Sequence, residues 1–300
     1  MPMPAIRMRA TGPDIRPTQF SLMKMLKLIA ASLPLIAAVA STPVSVAQLQ
    51  APAFPRQPDV IFVPTPQPVV DAMLKLAKVQ PDEMVYDLGC GDGRAVITAA
   101  RDFGARGIGV DIDPDRIQES RANAANARVT DRVEFKQEDL FQMNFADADV
   151  VFLYLLPALN LKLRPRILDE LRPGTRIVSH SFSMADWQPD QHAEVNGRDI
   201  LFWLVPAKVA GDWKVTLPNG EEGTLSLTQK FQKVDGVLKT KNESLPLKDA
   251  KLNGARLTFN YGNGSEVSHA NAEIAGGRLT GLVQRKASGQ PTPWSGELSQ

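Results

Sequence analysis

An α/β architecture is expected from this chain: a mostly parallel sheet with helices on both faces, an antiparallel final hairpin, and a small C-terminal antiparallel β domain. Three observations carry that expectation. Between positions 69 and 206, short apolar segments suited to buried strands alternate with helical segments of ten or more residues, the pattern of βαβ units. Asn196-Gly197 lies between two strand-like segments and has the composition of a two-residue hairpin turn. From about Ala210 onward, short alternating segments are separated by Gly, Asn, Asp and Pro, with no helix of useful length between them.

The first element is a leader. Lys24 and Lys27 precede an apolar run at 28–40, and Ser45-Val46-Ala47 gives a small-x-small cleavage pattern before Gln48, so residues 1–47 read as a leader with a signal peptide. The run is shorter than the roughly 20 apolar residues of a spanning helix. Cleavage after Ala47 would leave 29 basic and 32 acidic residues, turning a formal charge of +1 into −3. A periplasmic or membrane-associated location is therefore expected, or a cytoplasmic one if the leader is misassigned.

Residues 48–68, containing APAFPRQPDVIFVPTPQP, form a Pro-rich approach in which each proline removes a donor and restricts its neighbour. A helix follows at 69–79, with Val70, Met73, Leu74 and Ala77 on one face. Strands are expected at Met84–Leu88, 107–111, 133–136, 150–154 and 176–181, and helices at Arg94–Phe103, Pro114–Ala127 and 159–171. Segments 192–195 and 198–205 form the closing hairpin of a domain spanning 69–206. In the 210–300 region, GDWKVTL, GTLSLTQKF, GVLKTK, ARLTFNY and GRLTGLVQ suggest a small meander or incomplete barrel, with its closure open.

Composition narrows the function. With 43% hydrophobic and 22% charged residues the chain suits one large folded domain plus a small one. A net charge of +1 gives no footprint for a nucleic-acid backbone, so no nucleic-acid partner is expected. The single cysteine, Cys90, excludes an intramolecular disulfide framework and the usual cysteine zinc sites. His180, His192 and His269 have no close ligand spacing, so no metal is expected.

The chemistry is concentrated in YDLGCGDG at 86–93. Apolar residues run into Asp87, and Gly89, Gly91 and Gly93 then mark a turn before a helix, where the backbone can approach a ligand closely. A dinucleotide fingerprint would place its third glycine at the position of Arg94, and the lysine and hydroxyl of a phosphate-binding loop are absent, which argues against NAD and ATP hydrolysis. Asp111, 22 positions beyond Gly89, ends GIGVD, where a carboxylate can accept from a ribose diol. Asp113 takes a solvent or helix-start role. Asp139, after the third strand, suits an adenine amino group, with Leu140 or Phe141 against the base. Capping of turns is the plain alternative for each carboxylate, but three strand-end carboxylates around one glycine turn favour a ligand.

DLGCGDG, GVDIDPDRI and QEDLF, in that order, strongly resemble the cofactor motifs of the class I S-adenosylmethionine-dependent methyltransferases, over about residues 60–206. The resemblance implies a Rossmann-like seven-stranded sheet of order 3-2-1-4-5-7-6 and S-adenosyl-L-methionine as cofactor. Asp87 would meet its methionine amino group, Gly89, Cys90, Gly91 and Gly93 would border it, Asp111 and Ile112 would take the ribose, and Asp139 and Leu140 the adenine end. FVPTP, YLLP and LRPGTRIVSHSF are similar to the small protein-lysine methyltransferases related to archaeal enzymes and to mitochondrial enzymes that modify membrane carrier or ATP synthase subunits. That similarity implies Phe62, Pro64 and Thr65 folded over the cofactor and a lysine channel, with Tyr154, Leu155, Leu156 and Pro157 on the opposite wall. Tyr154 would orient the amine, and Thr65 would hydrogen-bond it or brace the loop. Tyr154-Leu155-Leu156-Pro157 replaces the tetrad of amino-methylating nucleic-acid enzymes, which disfavours DNA adenine as acceptor.

The expected partner is a protein substrate, with a membrane or envelope protein as one candidate and membrane association left open. A small-molecule N- or O-methyltransferase and an exported, non-catalytic binding protein retaining the fold are the other readings. Arg164, Arg166 and Arg172 are expected on a solvated helical face, Trp187 in packing, and His180 in a structural role.

Overall fold

The computed structural model describes residues 57–264, 266–285 and 289–299; the leader and its cleavage pattern lie outside the described residues. In chain order the first part comprises α1 (Gln67–Leu76), β1 (Met84–Leu88), α2 (Arg94–Phe103), β2 (Arg106–Asp111), α3 (Pro114–Ala127), β3 (Val133–Gln137), β4 (Val150–Leu153), α4 (Pro157–Glu170), β5 (Arg176–His180), β6 (Gln191–Val195) and β7 (Arg198–Leu204). The sheet runs β3-β2-β1-β4-β5-β7-β6. Its first five strands are parallel, β7 is antiparallel to both β5 and β6, and Asn196 and Gly197 make the turn with φ of 53° and 72°, the positive values that match strand twist.

Proline moved two helix starts. α1 begins ahead of the expected position 69 because Pro66 is its N-cap and Pro68 sits in its first turn, where a missing N–H breaks no intrahelical bond. Pro157 likewise opens α4 rather than lying before it. Val69, Val70, Met73 and Leu74 of α1 are buried against one face of the sheet, while Leu163 and Ile167 of α4 belong to the core on the other. β4 and β5 stop one residue short of expectation. Tyr154 lies just past its strand, and Ser181, with φ of 61°, turns the chain out of β5 after His180.

The second sheet has nine strands where five segments were expected: β8 (Gly211–Thr216), β9 (Glu222–Lys230), β10 (Lys233–Lys239), β11 (Ser244–Pro246), β12 (Lys248–Asn253), β13 (Arg256–Asn263), β14 (Glu266–Ala275), β15 (Arg278–Arg285) and β16 (Thr292–Leu298). β8 pairs with both β9 and β16, so the last strand of this sheet returns to its first, and among the described residues only the seam between β11 and β12 is unpaired. The result is nearly a barrel. Trp213, Phe259 and Trp294 help fill its interior, Phe259 and Trp294 meeting edge to face at 5.7 Å. β14 escaped sequence detection because its inward residues include Ser268, Ala270 and Ala272, which alternate correctly but carry little apolar signal.

A hairpin of this second sheet braces the first part. Phe231, in the β9–β10 turn, stacks on buried Trp187 at 5.8 Å, and Gln232 Nε2 donates to the Gln188 carbonyl at 2.7 Å. Arg164 and Arg166 are mostly covered rather than solvated, while Arg172 remains exposed. Arg164 donates to the Met184 carbonyl and Asp186, Arg166 to the carbonyls of Leu140 and Met143, and Arg172 to Asp149. From α4, Arg164 and Arg166 hold the loops that follow β5 and β3 at the carboxyl edge of the sheet, whereas Arg172, past the end of α4, meets Asp149 just ahead of β4. Among the described residues no helix is long and apolar enough to cross a membrane.

Candidate functional site

Parallel strands that all end on one side of a sheet leave a crevice beyond their carboxyl ends. Here that crevice is a cavity of about 860 Å³, inside the range of about 300–1,000 Å³ typical of small-ligand sites. Asp87, Gly89 and Cys90 line it from the β1 exit, Asp111 and Ile112 from the β2 exit, and Asp139 and Leu140 from beyond β3. Phe62, Pro64, Thr65, Tyr154, Leu155 and Leu156 also line it, together with Phe182 and, from the glycine turn, Asp92, neither of which the sequence had singled out. Gly91, Gly93 and Pro157 are not lining residues; the glycines shape the turn, and Pro157 starts α4.

The turn is pinned rather than loose. Gly89 N and Cys90 N both donate to the Val110 carbonyl at 2.8 Å, and Gly91 N donates to Asp111 Oδ2 at 2.9 Å. Asp111 Oδ1 accepts from Asp113 N at 3.0 Å, so each carboxylate oxygen holds one backbone donor and keeps further acceptor capacity. Asp139 Oδ1 accepts from Phe141 N at 2.9 Å. Turn capping and cavity lining therefore coexist in both residues. Asp113 caps α3, accepting from Asp115 N at 2.8 Å.

Asp87 is buried, and its carboxyl is held well above the usual range by burial first, then by the charges of Asp111 and Asp92. The Cys90 thiol is pushed up by burial and by Asp87, so it lines the site as a protonated group and not as a nucleophile. Asp92 receives the Arg94 guanidinium, Nε to Oδ1 at 2.9 Å, and Arg94 NH1 reaches the Thr65 carbonyl at 2.9 Å. Through Arg94, the glycine turn holds the Pro-rich approach in place. Sequence reasoning had used Arg94 only as a missing glycine.

The approach folds back over that turn. Phe62 lies so close that a Cβ on Gly91 would run into its ring, and the Arg116 guanidinium sits 4.9 Å from the ring centroid. Ile61, Phe62, Val63 and Leu156 leave an apolar rim, exposed by 86%, 42%, 50% and 47%. Deeper in, Thr65 Oγ1 lies 3.1 Å from His180 Nδ1, and the Tyr154 ring stacks on the His180 ring at 3.9 Å and on Phe182 at 5.9 Å. Thr65 and Tyr154 are thus joined through a fully buried histidine.

A family model described as the ANTKMT methyltransferase domain matches residues 87–191, within the α/β part and short of the second sheet. A protein-lysine N-methyltransferase of Saccharolobus islandicus is 45% identical over 139 residues, covering 46% of this chain and 86% of the relative. The chain belongs to the class I S-adenosylmethionine-dependent methyltransferases related to these protein-lysine enzymes. The mouse adenine nucleotide translocase lysine N-methyltransferase is 33% identical over 147 residues, 48% of this chain and 63% of that one, so this chain spans less than two thirds of that relative's length. A solved RNA methyltransferase from Salinibacter ruber, in complex with S-adenosyl-L-homocysteine, is 52% identical, covering 49% of this chain and 96% of that one at a TM-score of 0.48.

The cofactor of this methyltransferase is S-adenosyl-L-methionine. The cavity fits that molecule chemically. It carries donors along its length, an ammonium, a ribose diol and an adenine amino group, and the cavity presents acceptors at successive strand ends in Asp87, Asp111 and Asp139.

An Asp87 carboxylate that held the cofactor's ammonium would make the affinity depend on pH. A raised pKa means that the free enzyme keeps this proton to higher pH, whereas the cofactor's ammonium favours the ionised carboxylate. Affinity is expected to be highest above the raised pKa and to fall as pH drops through it, by at most about tenfold per pH unit for one coupled proton. Calorimetric titration at several pH values checks this; affinity that is flat or rises toward acid would contradict it.

Proposed function

We propose that this enzyme transfers the methyl group to a lysine amine of a protein. The observation that carries the reading is the 45% identity to a protein-lysine N-methyltransferase over 86% of that relative's length. The chemistry of the cavity supports it. With a reference pKa near 10.4, a lysine must give up about 4–5 kcal/mol to be neutral at pH 7, and only the neutral amine has a lone pair to attack with. An apolar channel lowers that cost, and Phe62, Leu155, Leu156 and Phe182 supply apolar surface around the place where the chain would enter.

In this reading Asp87 holds the cofactor's amino group, Asp111 and Ile112 its ribose, and Asp139 and Leu140 its adenine end. Bound S-adenosylmethionine supplies a methyl carbon made electrophilic by the sulfonium. Thr65 and Tyr154 orient the amine, and the wall from Phe62 and Pro64 to Leu156 keeps water and misaligned groups out. Positioning, rather than proton transfer by a protein base, then carries the rate. The leader directs attention to the envelope, so envelope proteins are the acceptor pool to try first.

The test is incubation of the enzyme with isotope-labelled S-adenosylmethionine and envelope extract, followed by separate counting of protein, RNA and small molecules and by mass spectrometry of the labelled protein. Label on methylated lysine is expected. Label confined to RNA or to small molecules would sink the lysine reading while leaving the methyltransferase intact.

A further inference from the structure

We propose that His180 is the positioning residue of the methyl-transfer wall, setting the Thr65 hydroxyl through Nδ1 and the Tyr154 ring through stacking, so that both side chains facing the acceptor are held as one unit. The inference rests on the reading above in that it takes Thr65 and Tyr154 to face the acceptor amine. It adds a residue that touches neither cofactor nor substrate in that reading.

The strand end around His180 has little freedom. His180 is the last residue of β5, is fully buried and pairs with Ile200 of β7. Immediately after it, Ser181 N donates to the Asp199 carbonyl at 2.8 Å, Phe182 N donates back to the His180 carbonyl at 2.8 Å, and Ser179 Oγ donates to the Phe182 carbonyl at 2.7 Å. These bonds fix the imidazole and the Phe182 ring, and both stack on Tyr154. From the other side, Arg94 holds the Thr65 carbonyl while His180 holds its hydroxyl. Thr65 is therefore oriented at both its backbone and its side chain.

A histidine is a costly way to fill this space. Its Nε2 is buried with no hydrogen-bond partner among the described residues, a desolvated nitrogen that an apolar side chain of similar size would not leave. The nitrogen that is used, Nδ1, points to Thr65. Burial, with Arg198 on β7 adding to it, pushes the imidazole down to about 4, so the ring is neutral at ordinary pH. A neutral ring places no positive charge beside a sulfonium. In either tautomer Nδ1 fixes the hydroxyl and leaves Thr65 Oγ1 at least one lone pair, which can accept from an amine N–H and aim the amine's own lone pair.

The test uses the full enzyme with three substitutions: His180→Phe keeps a ring and loses Nδ1, His180→Asn offers an amide near Nδ1 and loses the ring, and Thr65→Val removes the hydroxyl. With labelled S-adenosylmethionine and envelope extract, turnover should drop about tenfold in Thr65→Val and in His180→Phe, the loss of one hydrogen bond. The double variant should be no slower than the worse single one, His180→Asn should recover part of the loss, and cofactor affinity should stay within about twofold. Nitrogen-15 NMR of labelled histidine, with His180 assigned by its loss in His180→Phe, should show a neutral ring between about pH 8 and pH 5 and an Nδ1 signal that moves in Thr65→Val. Multiplying losses, cofactor affinity that falls with turnover, a protonated ring at neutral pH, or an Nδ1 signal indifferent to Thr65→Val would each overturn the proposal. If wild-type enzyme labels no protein lysine, the lysine reading fails and the NMR result still decides the role of His180. If His180→Phe does not fold, Thr65→Val carries both readouts.

Discussion

Gly93→Ala is expected to destabilise the enzyme by about 2–5 kcal/mol, the sum of a left-handed backbone cost and an overpacking cost. Gly93 is the N-cap of α2 with φ of 80° and ψ of 4°, a conformation that side chains rarely adopt. Its Cα also faces the core. A Cβ there would fall 2.6 Å and 2.7 Å from two ring carbons of Phe135 and 2.8 Å from Ser120 Cβ, and Phe135 and Ser120 are themselves buried. A ring packed in β3 cannot swing away without moving the strand next to β2. Gly89→Ala makes a useful contrast: its φ of 90° is equally unfavourable, but a Cβ would meet only the flexible end of Leu155, at 3.1 Å. Denaturant unfolding should therefore show a distinctly larger loss for Gly93→Ala than for Gly89→Ala. Equal losses would mean that the packing behind the turn is not as described.

The turn also shows what a sequence can display locally. β1, α2 and α3 have the bounds expected from sequence because their ends carry their own punctuation: Gly89 after β1, Gly93 and Gly104 around α2, and Asp113-Pro114 opening α3. The same proline rule misled at α1 and α4, where proline starts a helix instead of preventing one. The second sheet was legible as an antiparallel meander or incomplete barrel, but the choice between the two was not, because closure depends on β8 pairing with β16, which no local segment reveals. Asp87, Asp111 and Asp139 were legible because each falls at or just beyond the end of a recognisable strand, whereas Asp92, inside the glycine turn, was not. His180 was not, since a single histidine on an apolar strand has no pattern, and its partner Thr65 lies 115 residues away. The Arg94 tether to Thr65 was hidden for the same reason, two distant segments meeting only in the folded chain.

Asp111→Ala is expected to weaken S-adenosylmethionine binding about 100-fold, equivalent to about 2.7 kcal/mol. Two losses combine. In the proposed reading the substitution removes the acceptor for the ribose, and it releases the amides of Gly91 and Asp113, which now converge on the carboxylate at 2.9 Å and 3.0 Å. Asp111→Asn should not rescue the effect, because its NH₂ group would confront one of those amides, donor against donor. Both variants should still unfold cooperatively, since Asp111 lies at the end of β2, only partly buried, and outside the apolar core.

Calorimetric titration of the full chain with S-adenosylmethionine, beside Asp111→Ala, tests most directly whether the cavity at the carboxyl ends of β1, β2 and β3 is the cofactor site. Saturable binding to the wild-type enzyme, weakened about 100-fold in a folded Asp111→Ala variant, is the expected result. Undiminished binding in the variant would place the cofactor elsewhere, and no binding by folded wild-type enzyme would contradict the site altogether.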